Sequence, residues 1–135
     1  MSKTTYPKLQ YHLVCDDIRR EVGNKSSLIG IYRRDIVVAT TPYIFPKLCF
    51  HLAFKNVRGK DTLKLQLLNP DDKEILKPKP ATVKIPENKK LSDLVVEIEF
   101  IGIKITKEGV HRLVYAFGEG DKAKGEIKIA IKTQR

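Results

Sequence analysis

The stretch CDDIRREVGNKSSLIGIY, residues 15–32, reads as one β-hairpin around which the rest of the chain is laid. An apolar strand runs into a dense charge cluster at Asp16, Asp17, Arg19, Arg20 and Glu21. Gly23, Asn24 and Lys25 supply a turn, because Gly and Asn tolerate the positive φ that tight hairpins demand. Residues 26–32 then return as a second apolar strand. Upstream, Leu9, Tyr11, Leu13 and Cys15 fall on one face and His12, Val14 and Asp16 on the other. Both faces carry apolar side chains, which places this strand centrally in its sheet.

Downstream of the hairpin, short β-branched runs at 28–32 and 36–39 are broken by Arg33, Arg34 and Asp35, a turn or bulge between two strands. Thr40, Thr41, Pro42 and Pro46 then interrupt the pattern as a crossover loop, since proline cannot donate to a ladder. The period-2 signal is clearest at Leu48, Phe50, Leu52 and Phe54, a wall of large side chains for the core. Leu63, Leu65 and Leu67 follow a turn at Arg58, Gly59 and Lys60, and the two runs are expected to form a hairpin. Asn69-Pro70-Asp71-Asp72 is a turn by its chemistry. Residues 73–92 form a Lys/Pro-rich connection with a short strand near Thr82 to Ile85. Leu94, Val96, Ile98 and Phe100 resume the alternation, and Gly102 marks a bulge before Ile103 and Ile105. Lys107, Glu108 and Gly109 turn into a strand with Leu113, Tyr115 and Phe117 on one face. After a turn at Gly118, Gly120 and Asp121, Ile127, Ile129 and Ile131 close the chain.

These are about eight or nine short strands with regular turn signals, and no apolar run has helical spacing. The expected fold is all-β: a single antiparallel β-sandwich with immunoglobulin-like or C2-like Greek-key topology, in one domain spanning residues 1–135, with residues 1–7 frayed. At 135 residues, 41% apolar and 31% charged, the chain has material for one core. Two cysteines make neither a disulfide framework nor a metal-ligand spacing, so both are expected as free thiols in a reducing compartment. The N-terminal stretch lacks the apolar core of a signal peptide, and no segment has the length of a membrane helix, so a cytoplasmic protein is expected.

The run from Cys15 to Glu21, then Gly23, Lys25, Ser26 to Leu28, Gly30 and Tyr32, followed by Ile36-Val37-Val38 and Pro46-Lys47-Leu48, resembles the opening of a family of small, uncharacterised bacterial all-β proteins. Its members share a C-D-x-[IV]-R-x-E-x-x-G-K-x-S-x-x-G-x-Y start, a central Pro/Asp hairpin and a late Gly-initiated strand. Here the last two correspond to Asn69 to Asp72 and Gly109 to Tyr115. The sequence departs from that pattern in the Asn24 inserted before Lys25, and in Asp72 where the family's turn has Gly. The resemblance implies no activity, because the family has none assigned.

Gly23-Asn24-Lys25-Ser26 is similar to the end of a phosphate-binding loop, but position 18 is Ile, Asn24 intervenes, and a strand follows instead of a helix. In the hairpin cluster, carboxylates able to hold a hard cation are neutralised by two arginines within the same seven residues. Ion pairs that pin the strand end are the expected role. Asp71 and Asp72 fall short of the roughly five oxygen ligands a calcium site requires. His12, His51 and His111 lie singly on separate strands, no Ser stands in a G-x-S-x-G setting, and neither Cys has a nucleophile's context.

No catalytic residue, metal or cofactor is therefore assigned, and no small-molecule substrate is evident. A formal charge of +10 raises nucleic acid as a partner, but its lysines are dispersed and most aromatics point inward. The expected function is a non-catalytic protein-interaction module. Its candidate anchors are Asp16, Asp17, Arg19, Arg20, Glu21, Lys25, Arg33 and Arg34, with the arginines near one end of the hairpin. Nucleic-acid binding, or service as a structural subunit of a larger assembly, is the alternative.

Overall fold

The computed structural model describes residues 7–57, 62–76, 81–82, 92–117 and 124–134. The turns expected at Arg58 to Lys60 and Gly118 to Asp121, the tail 1–6 and most of the 73–92 connection lie outside the described residues. Among the described residues there are ten strands: β1 (Lys8–Glu21), β2 (Lys25–Ile31), β3 (Ile36–Val38), β4 (Tyr43–Val57), β5 (Thr62–Leu68), β6 (Glu74–Leu76), β7 (Ala81–Thr82), β8 (Ser92–Ile105), β9 (Gly109–Phe117) and β10 (Lys124–Thr133). They form an all-β sandwich of two sheets, one ordered β2-β1-β4-β8 and the other β3-β10-β9-β5-β6, with β7 also on β5. Among the described residues no helix is long and apolar enough to cross a membrane.

Large alternating side chains fill the space between the sheets. Leu48, Phe50, Leu52 and Phe54 of β4 join Leu63 and Leu67 of β5, Leu113 and Phe117 of β9, and Ile127, Ile129 and Ile131 of β10 in one buried cluster. Phe54 packs edge-to-face on Phe117 at 4.8 Å and on Tyr115 at 5.2 Å, an arrangement favoured by the ring quadrupoles. β1 lies between β2 and β4, as its two apolar faces predict.

Several local expectations are corrected. β4 and β5 are not a hairpin: β4 pairs with β1 and β8, while β5 pairs with β9 in the other sheet. The sandwich is not wholly antiparallel, because β3 runs parallel to β10. Leu9, Tyr11, Leu13 and Cys15 do not share a face; a bulge between Leu9 and Tyr11 turns Leu9 to the main core and leaves Tyr11 exposed. Pro46 is inside β4, in the part that β1 does not reach, where a residue lacking an N–H is tolerated. Phe45, expected in a loop, is buried in the core.

The bulge expected at Gly102 is absent, because the β4–β8 ladder keeps its register there. The phase of β8 nonetheless switches at that residue: Phe100 packs on the core from one side of it and Ile103 from the other. β4 switches at the same level, between Phe45 and Leu48. The partners Phe45↔Ile103 and Leu48↔Phe100 therefore stay in register, with Gly102 taking up a left-handed φ of 71°. The switch sends Lys47, Cys49 and His51 to the outer face of β4. Phe50→Ala should cost about 3–5 kcal/mol in urea denaturation, because the vacated volume lies in a fully enclosed core.

Candidate functional site

The hairpin is built as its residues dictate. Glu21 pairs with Lys25, so the turn is Val22, Gly23 and Asn24, with Gly23 and Asn24 left-handed at φ 93° and 57°. Lys25, expected in the turn, is the first residue of β2. β1 pairs with β4 only as far as Cys15↔Cys49, and with β2 from Cys15↔Ile31 onward. At that level Gly30 has φ 70°, and any Cβ on it would collide with the Asp16 carboxylate, which accepts a hydrogen bond from the Tyr32 hydroxyl. Beyond this bend the hairpin folds over the outer face of its own sheet. Ser26 of β2 consequently reaches Glu97 of β8 at 2.8 Å, across two intervening strands.

Beneath the flap, Cys15, Ile18 and Cys49 are buried with Leu28 against them. The Cys15 thiol donates to the Asp17 carbonyl at 3.4 Å and the Cys49 thiol to the Asp16 carbonyl at 3.7 Å. Burial, then the neighbouring Cys49, push the Cys15 thiol up to about 11, and burial also raises Cys49. Both are held protonated and poorly nucleophilic.

Around this cluster the charges are paired. Lys47 donates to Asp17 at 3.0 Å and stands 3.9 Å from Glu99, while Arg19 lies 3.7 Å from Asp17. Arg19 thus pairs with Asp17 instead of Glu21, whose carboxylate accepts from Ser27. The hydrogen bond from Lys47 holds the Asp17 carboxyl below its ordinary range, and the same bond raises Lys47. Donor atoms of Asp17, Cys49 and Glu99 lie within 4.8 Å of one another, a spacing open to a metal ion. The Lys47 ammonium already supplies the positive charge there, and the thiol is protonated, so the set does not suit a cation.

A groove of about 610 Å³ runs along the flap, lined by Arg20, Lys25, Ser26, His51 and Glu97 among others. His51 Nδ1 is 3.0 Å from Glu97, and the Tyr11 ring stacks on His51 at 5.8 Å. Burial works to raise Glu97, but hydrogen bonds from His51 and Ser26 outweigh it and hold the carboxyl below its ordinary range. The carboxylate separates Ser26 from His51, so this is no Ser–His–acid relay. His111 is buried with Nδ1 3.1 Å from the Gly109 carbonyl, and burial lowers its pKa. The three histidines belong to three separate places.

Arg33 and Arg34 are not with Arg19 and Arg20. They follow Ile31, which pairs with Cys15 at the end of the hairpin away from its turn. There they line a second opening of about 650 Å³ between the sheets, with His12, Ile31, Val110, Lys128 and Ala130 on its walls. β2 covers β1 only from Cys15, and β3 covers β10 only from Ile131. The Val14 carbonyl still accepts from the Tyr32 N–H at 2.8 Å, so residues 8–13 of β1 and 124–130 of β10 are left with one ladder partner each among the described residues. Among those residues Arg33, Arg34 and Lys128 form no ion pair, whereas Asp35 is 2.8 Å from Lys132. Lys47, Glu97, Glu99 and Lys128 were missed from sequence, and His51 was seen there only as a lone histidine, because they scatter over three strands. Their one signal is a polar residue at every second outward position.

Comparison with known proteins adds a family and little else. Residues 10–132 match the model of a family of unknown function, DUF6941. No curated protein matches the chain. Among solved structures it is similar to the CARDB domain of the PF1109 protein from Pyrococcus furiosus, in complex with di-metal ions. That similarity is 9% identity with a TM-score of 0.47, covering 98% of this chain and 100% of that one. It is also similar to a β-glucosidase from Listeria innocua in complex with isofagomine, at 9% identity and TM-score 0.41, over 97% of this chain and 17% of that one.

Asp17→Asn tests the pairing at the flap. A carboxylate with a lowered folded pKa stabilises above its unfolded value and loses that contribution as pH falls through the folded one. The stability gap between wild type and variant should be full near neutrality and close below the ordinary value of 3.8, as read by denaturation at stepped pH. A chelator should leave the melting temperature unchanged.

Proposed function

The chain belongs to the family of unknown function DUF6941, which passes on no activity, and from that premise we propose that it is a non-catalytic protein-interaction module whose partner seats in the notch beside Arg33 and Arg34. The supporting observation is the coincidence there of two uncovered ladder edges with three cations that have no ion pair among the described residues. Many polar side chains elsewhere are engaged with one another: Lys47 with Asp17, His51 with Glu97, Arg112 with Glu126 and Asp72. Arg20 and Lys25 of the flap groove are in no ion pair among the described residues, but that groove has no open ladder edge of β10 beside it. Burial holds the two thiols protonated, which leaves them poor nucleophiles.

Nucleic acid is the second reading, favoured by the charge of +10. Binding of single strands through stacking uses exposed aromatics next to the cations. Among the described residues the notch is lined by the rings of Tyr32, half-buried with its hydroxyl on Asp16, and His12, with no run of exposed aromatics. The protein partner is accordingly preferred.

A photo-crosslinking residue at Lys128 should capture a protein partner from cell extract, and the same residue at Lys64, exposed on β5, should not. Arg33→Glu with Arg34→Glu should abolish that capture while leaving the melting temperature within a few degrees. Binding of DNA or RNA that persists at about 0.15 M salt and is lost in the double variant would move the assignment to nucleic acid.

A further inference from the structure

We propose that the notch takes an extended acidic segment of its partner, which adds as a strand to the open edge of β10 with its carboxylates against Arg33, Arg34 and Lys128. This rests on the interaction-module reading and names the kind of segment that reading requires.

Three features converge. The first is backbone. β10 is antiparallel to β9 along residues 124–131, and β3 joins its other side only at Ile131. In an antiparallel ladder alternate residues direct N–H and C=O to each neighbour, so alternate residues of 124–130 point theirs at the notch. An incoming strand satisfies them without displacing any part of the described fold. The second is charge. Arg33, Arg34 and Lys128 are exposed, and among the described residues none is in an ion pair. Arginine in particular grips carboxylates with a two-pronged donor set. Lysine on an edge strand also repels copies of the same basic chain, which selects against self-pairing here. The third is an apolar lining from Ile31 and Val110, each close to half exposed, suited to alternate side chains of an extended segment. Together they specify alternation of apolar and acidic residues, in contrast to a phosphate backbone, which has no use for the ladder edge.

The test uses the full chain, ¹⁵N-labelled, with a capped ten-residue peptide alternating valine and glutamate. Two control peptides replace every glutamate by lysine, or one central valine and the next glutamate by proline, so that a ladder donor is lost whichever edge of the peptide faces β10. The glutamate peptide should bind and slow the exchange of alternate amides within 124–130. The lysine and proline peptides, and the Arg33→Glu/Arg34→Glu protein with the glutamate peptide, should each bind at least about tenfold more weakly. Equal binding of the proline peptide would reduce the effect to charge alone and overturn the strand. Protection of the β8 edge instead, or no binding of the glutamate peptide, would overturn the inference as well. If the peptide fails while crosslinking at Lys128 still captures a protein, strand addition falls and the interaction module stands. If both fail, the module reading falls too.

Discussion

A strand inside a sheet has two edges, and each can be paired only where a neighbour lies alongside it. β1 changes neighbours at Cys15, giving up β4 on one side just as it takes β2 on the other. The molecule's unusual features follow from that exchange. Past it, the hairpin is free of β4 and folds over the sheet, closing Cys15, Ile18, Cys49 and Leu28 into a second small core. Before it, β1 as far as Leu13 has no second ladder partner among the described residues, and because β3 joins β10 for only three residues, the opposite sheet lacks one at the same place. The closed flap and the open notch are two results of one handover. Gly30 permits it, since only a residue without a side chain fits against Asp16 at φ 70°.

The charges divide along the same line. Exposed ion pairs contribute little each, about 0–1 kcal/mol, so the network of Asp17, Lys47, Arg19 and Glu99 is better understood as fixing where the flap lies than as a store of stability. Acidic side chains are spent on such intramolecular pairing, including Asp71 with Lys107 and Asp72 with Arg112 at the central turn. Among the described residues Arg33, Arg34 and Lys128 are left without an ion pair, the Asp35 carboxylate beside them being taken by Lys132.

Much of the fold was legible. Alternation at Leu48, Phe50, Leu52 and Phe54, and again at Ile127, Ile129 and Ile131, marks core-facing strands, because period 2 has few other meanings. The turn at Asn69 was likewise written in its residues: the Asn69 side chain accepts from the amides of Asp71 and Lys73, and Asp72 takes the left-handed φ of 63° that suits Gly. Strand partners were only partly legible, since adjacency in sequence, right for β1 with β2, does not decide which sheet a strand joins; hence β4 and β5 looked like a hairpin. The hairpin cluster was half legible. Asp17 and Arg19 stand out as a local charge run, but Lys47, Glu97 and Glu99, which complete it, arrive from strands distant in sequence. Arg33 and Arg34 were visible as residues, while the bare edge that gives them a setting exists only once β3 has crossed to the other sheet.

Cys15 and Cys49 face each other across β1 and β4 under the flap, fully enclosed and held as thiols. Reagents that modify sulfur therefore meet them only when the hairpin lifts, and the rate of labelling counts those openings. The chain carries its own reporter on the flap: two native thiols that need no engineered probe, silent while the hairpin is down and open to labelling once it rises.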